Sequence, residues 1–174
     1  WGKNFHDTWE RAVKGEAAFR KVTRCQVKSA RSIVGEIPEW DPYAYDFSNE
    51  KEVYNWNAAI VILTMAVCKE ALENAGLQIN TETGPKTACL IGSAINGTDA
   101  FRIAAENLRE KGPLRVSPYL LPNLCANLPS GKAGILTGFT GPIFSPQAAC
   151  ASGNYAIAIG SRMIRDGDCD FVIA

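Results

Sequence analysis

The stretch Ala148-Ala149-Cys150-Ala151-Ser152-Gly153 constrains what this chain can fold into more than any other. It joins a short apolar run, residues 143–148, to an amphipathic segment over residues 151–166. The run has the length of a buried strand, and the segment after it has the helical period. Read as strand, tight turn and helix, this places the Cys150 thiol at or next to a helix N-terminus. Unpaired backbone N–H groups and the positive end of a helix dipole favour a thiolate at such a place. Ala151, Ser152 and Gly153 are small, so a substrate has room to approach the sulfur. Most free cysteines are inert packing; the flanking pattern singles this one out.

The rest of the chain alternates in the same way. Asn4 caps a helix over residues 5–13, with Phe5, Trp9 and Val13 on one face, and Gly15 stops it. Residues 16–55 are irregular, with a short strand expected at 34–37. Trp40, Tyr43, Tyr45 and Phe47 lack interleaved basic residues, so they read as packing, not as a platform for bases. Residues 57–74 form the clearest helix, with Ile60, Leu63, Val67 and Ala71 as its stripe and Gly76 as its stop. A buried strand follows at 87–91, then a loop, 92–97, into a helix over 98–111. That loop has neither the dinucleotide fingerprint nor a P-loop lysine, which argues against a phosphate cradle.

Residues 113–122 read as a proline-punctuated crossing segment. Asn127 caps the next helix, with Pro129 tolerated in its first turn and Gly138 at its end. In the last helix Ala156, Ala158 and Gly160 suit close packing on all sides, and Gly167 leads into a strand at 169–174. Strands alternating with helices predict an α/β layered domain on a mixed, mostly parallel sheet.

Composition narrows the function classes. Lysines plus arginines equal aspartates plus glutamates, 18 each, which argues against nucleic acid or an anionic membrane as the main partner. The longest apolar run, residues 58–67 with only Thr64 interrupting it, is too short to span a bilayer. No signal peptide is visible. The six cysteines are scattered without a Cys-x-x-Cys pair, and there is one histidine, His6, which reads as a surface residue. This argues against a metal site and for reduced thiols in a cytoplasmic setting. With no initiator Met and an apolar strand at its end, the chain of 174 residues is expected to be part of a longer protein.

Several stretches, in order, resemble the N-terminal half of a β-ketoacyl synthase, the condensing enzyme of fatty-acid and polyketide assembly. They are Gly2-Lys3-Asn4 through Gly15, and Ala71-Leu72-Glu73-Asn74-Ala75-Gly76-Leu77, then Ile91-Gly92-Ser93. Ser117-Pro118-Tyr119-Leu120-Leu121-Pro122, Asn127 and Gly138-Phe139-Thr140-Gly141-Pro142 lead into Ala149-Cys150-Ala151-Ser152-Gly153. The tail, residues 164–174, fits as well, so residues 1–174 resemble that half without its first strand.

The resemblance implies a thiolase-like fold of two similar α/β halves, of which the second is absent here, in a homodimer. It implies that Cys150 accepts an acyl group from a carrier-protein thioester, and that a malonyl thioester then loses carbon dioxide and attacks the acyl-cysteine. Substrates would arrive as phosphopantetheine thioesters on acyl carrier protein, with no separate cofactor. The Cys150 N–H would supply part of an oxyanion hole, Ala151, Ser152 and Gly153 would border the substrate, and Val116 would line the far end of an acyl pocket. The strand at 143–147 would lie at a sheet edge and pair antiparallel with its twin, with the ladder broken at Pro146. The family's two histidines, its lysine and its second oxyanion donor belong to the second half. Ala148 stands where many members have threonine, and Pro146 departs from the pattern too. A thiolase also carries a Cys-Ala-Ser-Gly nucleophile, but the Ser-Pro-aromatic and Gly-Phe-Thr-Gly-Pro segments favour the synthase. A non-catalytic partner subunit would be expected to have lost the cysteine.

Overall fold

In the computed structural model of the chain, residues 4–23, 32–37 and 59–174 are described, and they fall into two units, Trp1–Asp41 and Pro42–Ala174. The first unit begins with α1, Phe5–Val13, whose cap is Asn4: its Oδ1 accepts the Asp7 N–H at 2.9 Å. The Phe5 and Trp9 rings, one helical turn apart, stack with centroids 6.2 Å apart. Strand β1, Arg20–Lys21, pairs antiparallel with β2, Ile33–Val34. The strand expected at 34–37 is therefore shorter and begins earlier. A strand persists only where its partner supplies ladder bonds, and here the partner has two residues. Trp40, Tyr43, Tyr45, Phe47 and Cys25 lie outside the described residues.

The second unit is built around β3, Thr87–Leu90, whose four residues are all buried. Before it comes α2, Ala59–Ala75, and after it α3, Thr98–Lys111, the short α4, Leu120–Leu124, and α5, Leu128–Thr137. Strand β4, Ile143–Phe144, a 3₁₀ turn at Ala149–Ala151, α6, Ser152–Asp166, and β5, Phe171–Ile173, complete it. The sheet order is β4-β3-β5, and both pairings are parallel, with Cys89 opposite Ile143 and Ala88 opposite Val172. Parallel neighbours require crossovers, and the helices provide them.

Alternation along β3 distributes its side chains to two faces. Ala88 and Leu90 pack with Ala156, Met163 and Cys169, on the α6 side. Cys89 points the other way and meets Cys68 of α2. Helices thus cover both faces of a parallel sheet, the layered α/β arrangement expected from the alternating pattern.

Several local expectations are corrected. The stripe Ile60, Leu63, Val67, Ala71 is not the buried face of α2. Val61, Ile62, Thr64, Met65 and Cys68 are buried, and Val67 is 54% exposed. The first turns of this helix are apolar all round, so periodicity did not select a side; packing against α5 did. The faces of α6 differ in this chain. Ser152, Ala156, Gly160 and Met163 form one buried stripe, while Tyr155, Ile157, Ala158 and Ile164 are exposed. Asn127 stands at the N-cap of α5 without a side-chain cap bond. Pro129 removes one of the N–H groups that such a cap would serve. Strand β4 ends at Phe144, not at 148, because Pro146 has no N–H for the ladder. Strand β5 begins at Phe171, not at 169, with the Asp170 N–H bonded to the Lys86 carbonyl at 2.9 Å just ahead of the ladder.

Candidate active site

The candidate site grows out of the edge of the sheet. After Phe144 the chain leaves β4 under the control of Ser130, a fully buried residue of α5. The Ser130 Oγ accepts the Ile91 N–H at 3.0 Å, donates to the Phe144 carbonyl at 3.1 Å, and lies 2.7 Å from Ser145 Oγ. One hydroxyl thereby ties the C-terminal ends of β3 and β4 to the same helix. Both strands release their chains at that end, where open α/β sheets place their sites.

The turn itself carries backbone strain. Ala149 has φ +49, in the left-handed region. A residue with a Cβ pays about 1–2 kcal/mol for that conformation. Three hydrogen bonds close around it: the Ala151 N–H to the Ala148 carbonyl at 3.0 Å, the Ala148 N–H to Ser152 Oγ at 2.9 Å, and Ser152 Oγ to the Ala149 carbonyl at 2.7 Å. Gly92, just after β3, presses on the same place. A Cβ at Gly92 would lie 2.3 Å from the Ser152 carbonyl oxygen and 2.8 Å from the Gly153 nitrogen. Only glycine lets this loop backbone lie flat against the first turn of α6.

The result is that Cys150 sits exposed in the 3₁₀ turn immediately before α6. It stands one residue before the N-cap, Ala151, next to the backbone donors of the first turn that have no intrahelical acceptor. The helix carries no acidic residue in its first turn, so the positive end of its dipole is not offset locally. Ala151 and Gly153 are exposed beside the thiol, and a Cβ at Gly153 would meet nothing within 4 Å. Ser152 differs: it is 2% exposed, and its hydroxyl is committed to the turn. Its side chain faces the turn, whereas Ala151 and Gly153 lie open beside the thiol.

The other described cysteines have different surroundings. Cys68 and Cys89 are fully buried with their thiols hydrogen-bonded to each other. That bond and burial push Cys89 far up, so it stays protonated. Cys169 is buried, and desolvation, followed by the negative Asp168 and Asp170, pushes its thiol up. Cys125 is exposed, but its Sγ is engaged with the Leu121 carbonyl at 3.4 Å.

Val116 is not part of the cysteine turn. It is half-buried after the 3₁₀ turn Pro113–Arg115, its N–H bonded to the Pro113 carbonyl at 3.2 Å. Close by in the chain, α4 and α5 border an apolar cleft of about 480 Å³ lined by Leu121, Pro122, Cys125, Leu128, Lys132 and Ile135. His6, in the first unit, is exposed and pairs with Glu10 at 3.2 Å. Among the described residues no His, Cys, Asp and Glu cluster is arranged to hold a metal ion, and no helix is long and apolar enough to cross a membrane. Sequence reasoning missed Gly92 and Ser130; the glycine directly after an apolar strand was the available signal for the first.

Sheet, helices and turn define a thiolase-like α/β half-domain with an exposed cysteine at a helix N-terminus. The chain belongs to the β-ketoacyl synthase family: the sequence model of that family's N-terminal domain matches residues 2–174. It is 32% identical over 173 residues to a 3-oxoacyl-[acyl-carrier-protein] synthase 2 of Staphylococcus aureus, covering 99% of this chain and 42% of that protein. The chain thus spans about two-fifths of such a relative's length. Among solved structures, the ishigamide ketosynthase/chain length factor matches with a TM-score of 0.81 at 17% identity, over 97% of this chain and 42% of that one. A type II polyketide-synthase ketosynthase, in complex with its acyl-carrier protein and bound to the hexaketide, matches with a TM-score of 0.65 at 16% identity, over 76% of this chain and 38% of that one. At these identities the structural likeness establishes the fold.

Proposed function

We propose that the protein to which this chain belongs is a β-ketoacyl synthase using Cys150 as its nucleophile. The observation that carries the reading is the exposed Cys150 at the strained turn into α6, in a chain of this family. The Cys150 sulfur attacks the carbonyl of an acyl thioester, an S–C bond forms, and the carrier thiol leaves with the proton. A malonyl thioester then loses carbon dioxide, and the resulting carbanion attacks the acyl-cysteine carbonyl. A C–C bond forms, the Cys150 thiolate is expelled, and a β-ketoacyl thioester departs on its carrier. A cysteine suits both stages, since a thiolate is a strong nucleophile and its thioester stays reactive. The Cys150 N–H stabilises the developing oxyanion, and the histidines and lysine of the decarboxylation step come from the second half.

The partner supplying both thioesters is acyl carrier protein, the substrate named for the staphylococcal relative and the companion of the polyketide ketosynthase. The setting is cytoplasmic. Val116 sets acyl length: an apolar pocket discriminates by about 1–3 kcal/mol per methylene, so Val116→Phe shortens and Val116→Ala lengthens the product. The functional unit is a homodimer that buries Phe144 on the edge strand β4, where only one side of the strand is paired within the sheet. Phe144→Asp in the intact protein lowers the mass seen by light scattering at low micromolar concentration.

The deciding experiment uses the intact protein with acyl- and malonyl-carrier thioesters. Cys150→Ala abolishes the covalent acyl-enzyme seen by mass spectrometry and the condensation product with it. A variant that still forms both places the nucleophile elsewhere. Condensation of two acetyl thioesters without malonate would mark a thiolase, and a wild-type protein that never acylates would mark a non-catalytic subunit.

A further inference from the structure

We propose that Ser152 is a positioning residue: its buried hydroxyl holds Ala149 in the left-handed conformation and so aims the Cys150 sulfur. This rests on Cys150 being the nucleophile. Three observations carry it. The residue is 2% exposed, so its hydroxyl has no path to a substrate. The Oγ accepts from the Ala148 N–H at 2.9 Å and donates to the Ala149 carbonyl at 2.7 Å, spanning the residue that bears the strain. That residue, at φ +49, is the only non-glycine among the described residues to hold a positive φ. A conformation disfavoured for alanine persists only when its surroundings over-determine it. Here the surroundings are the hydroxyl and the Gly92 backbone, which packs closely against the Ser152–Gly153 peptide.

The hydroxyl is suited to the task because it can donate and accept at once. An alanine at 152 does neither, and leaves the Ala148 N–H and the Ala149 carbonyl without that partner. With the clamp gone, the turn relaxes toward negative φ at Ala149, and the thiol direction spreads over several orientations. Glycine at 149 occupies the left-handed region at no steric cost. It therefore replaces what the clamp supplies. This gives a rescue that a purely volumetric role for Ser152 does not predict.

The test uses the intact protein, with Cys150 alkylation by iodoacetamide and steady-state condensation as readouts. Ser152→Ala slows Cys150 alkylation and lowers kcat, each by about tenfold, while KM for the acyl thioester stays unchanged. Adding Ala149→Gly to Ser152→Ala restores most of both losses, and Ser152→Thr, which keeps the hydroxyl, loses little. If Ser152→Ala does not fold, the double variant and Ser152→Thr carry the comparison against wild type, with the double variant expected to keep most of the alkylation rate. Alkylation within twofold of wild type in Ser152→Ala overturns the proposal, and so does a raised KM at unchanged alkylation, which marks a substrate contact. Loss of rate that Ala149→Gly does not restore overturns it as well. Cys150→Ala separates the two readings: if that variant still condenses, the nucleophile assignment fails; if it is inactive while Ser152→Ala is normal, only the clamp fails.

Discussion

Cys89 and Cys150 occupy opposite kinds of place in one small sheet. Cys89 lies at the middle of the central strand, in register with Ile143 of β4, and is fully buried with its thiol on Cys68. Cys150 lies seven residues beyond Ile143, exposed on the turn where the chain has left the sheet. The same thiol is held protonated in one place and offered to solvent at a helix N-terminus in the other. The centre of the sheet is over-packed with partners, whereas the turn is fixed by backbone and a single hydroxyl, with open space left beside the sulfur. The difference in surroundings follows from where a strand ends, not from the side chain.

The sharpest test of that contrast is competitive labelling. Limiting iodoacetamide followed by peptide mapping should show Cys150 reacting about a thousandfold faster than Cys68, Cys89 and Cys169, which become reachable only when the fold opens. Comparable labelling of Cys89 would mean that the sheet centre is not the closed region described. Truncation of the core should then separate stability from reactivity. Leu90→Ala should cost about 3 kcal/mol in chemical denaturation while the folded fraction still alkylates Cys150 at the wild-type rate. A parallel fall in that rate would show that the turn depends on the sheet centre after all.

Gly92 is where the two regions touch, and its substitution should affect both. Gly92→Ala places a Cβ 2.3 Å from the Ser152 carbonyl oxygen, a backbone atom that has to move. We expect about 2 kcal/mol of destabilisation together with slower Cys150 alkylation; a change in stability alone would detach the loop from the turn. The smallest effect concerns pH. The folded state holds Cys169 above the ordinary thiol value of 9.0, through burial and its two aspartate neighbours. Its contribution to stability is therefore fully present below that value and is lost as the solution becomes more alkaline. Denaturation midpoints should fall with alkaline pH less steeply in Cys169→Ala than in wild type, and identical slopes would remove Cys169 from the account.

Much of this architecture was legible in the order of residues. The Asn4 cap, the helix stops at Gly15, Gly138 and Gly167, and the turn and helix around Cys150 all appear where local chemistry put them. These are decisions made within a few residues, by hydrogen bonds between near neighbours and by which backbone angles each residue tolerates. The tertiary structure decided the rest. It chose the buried face of α2, where the sequence is apolar on every side, and it cut β2, β4 and β5 to the length their partners support. It joined Ser130 to Ile91, 39 residues away, and set Gly92 against Ser152. It also set the Ser152 hydroxyl against the backbone of Ala148 and Ala149. A hydroxyl or a missing Cβ has no partner written into its own neighbourhood, so its role exists only once distant segments have packed.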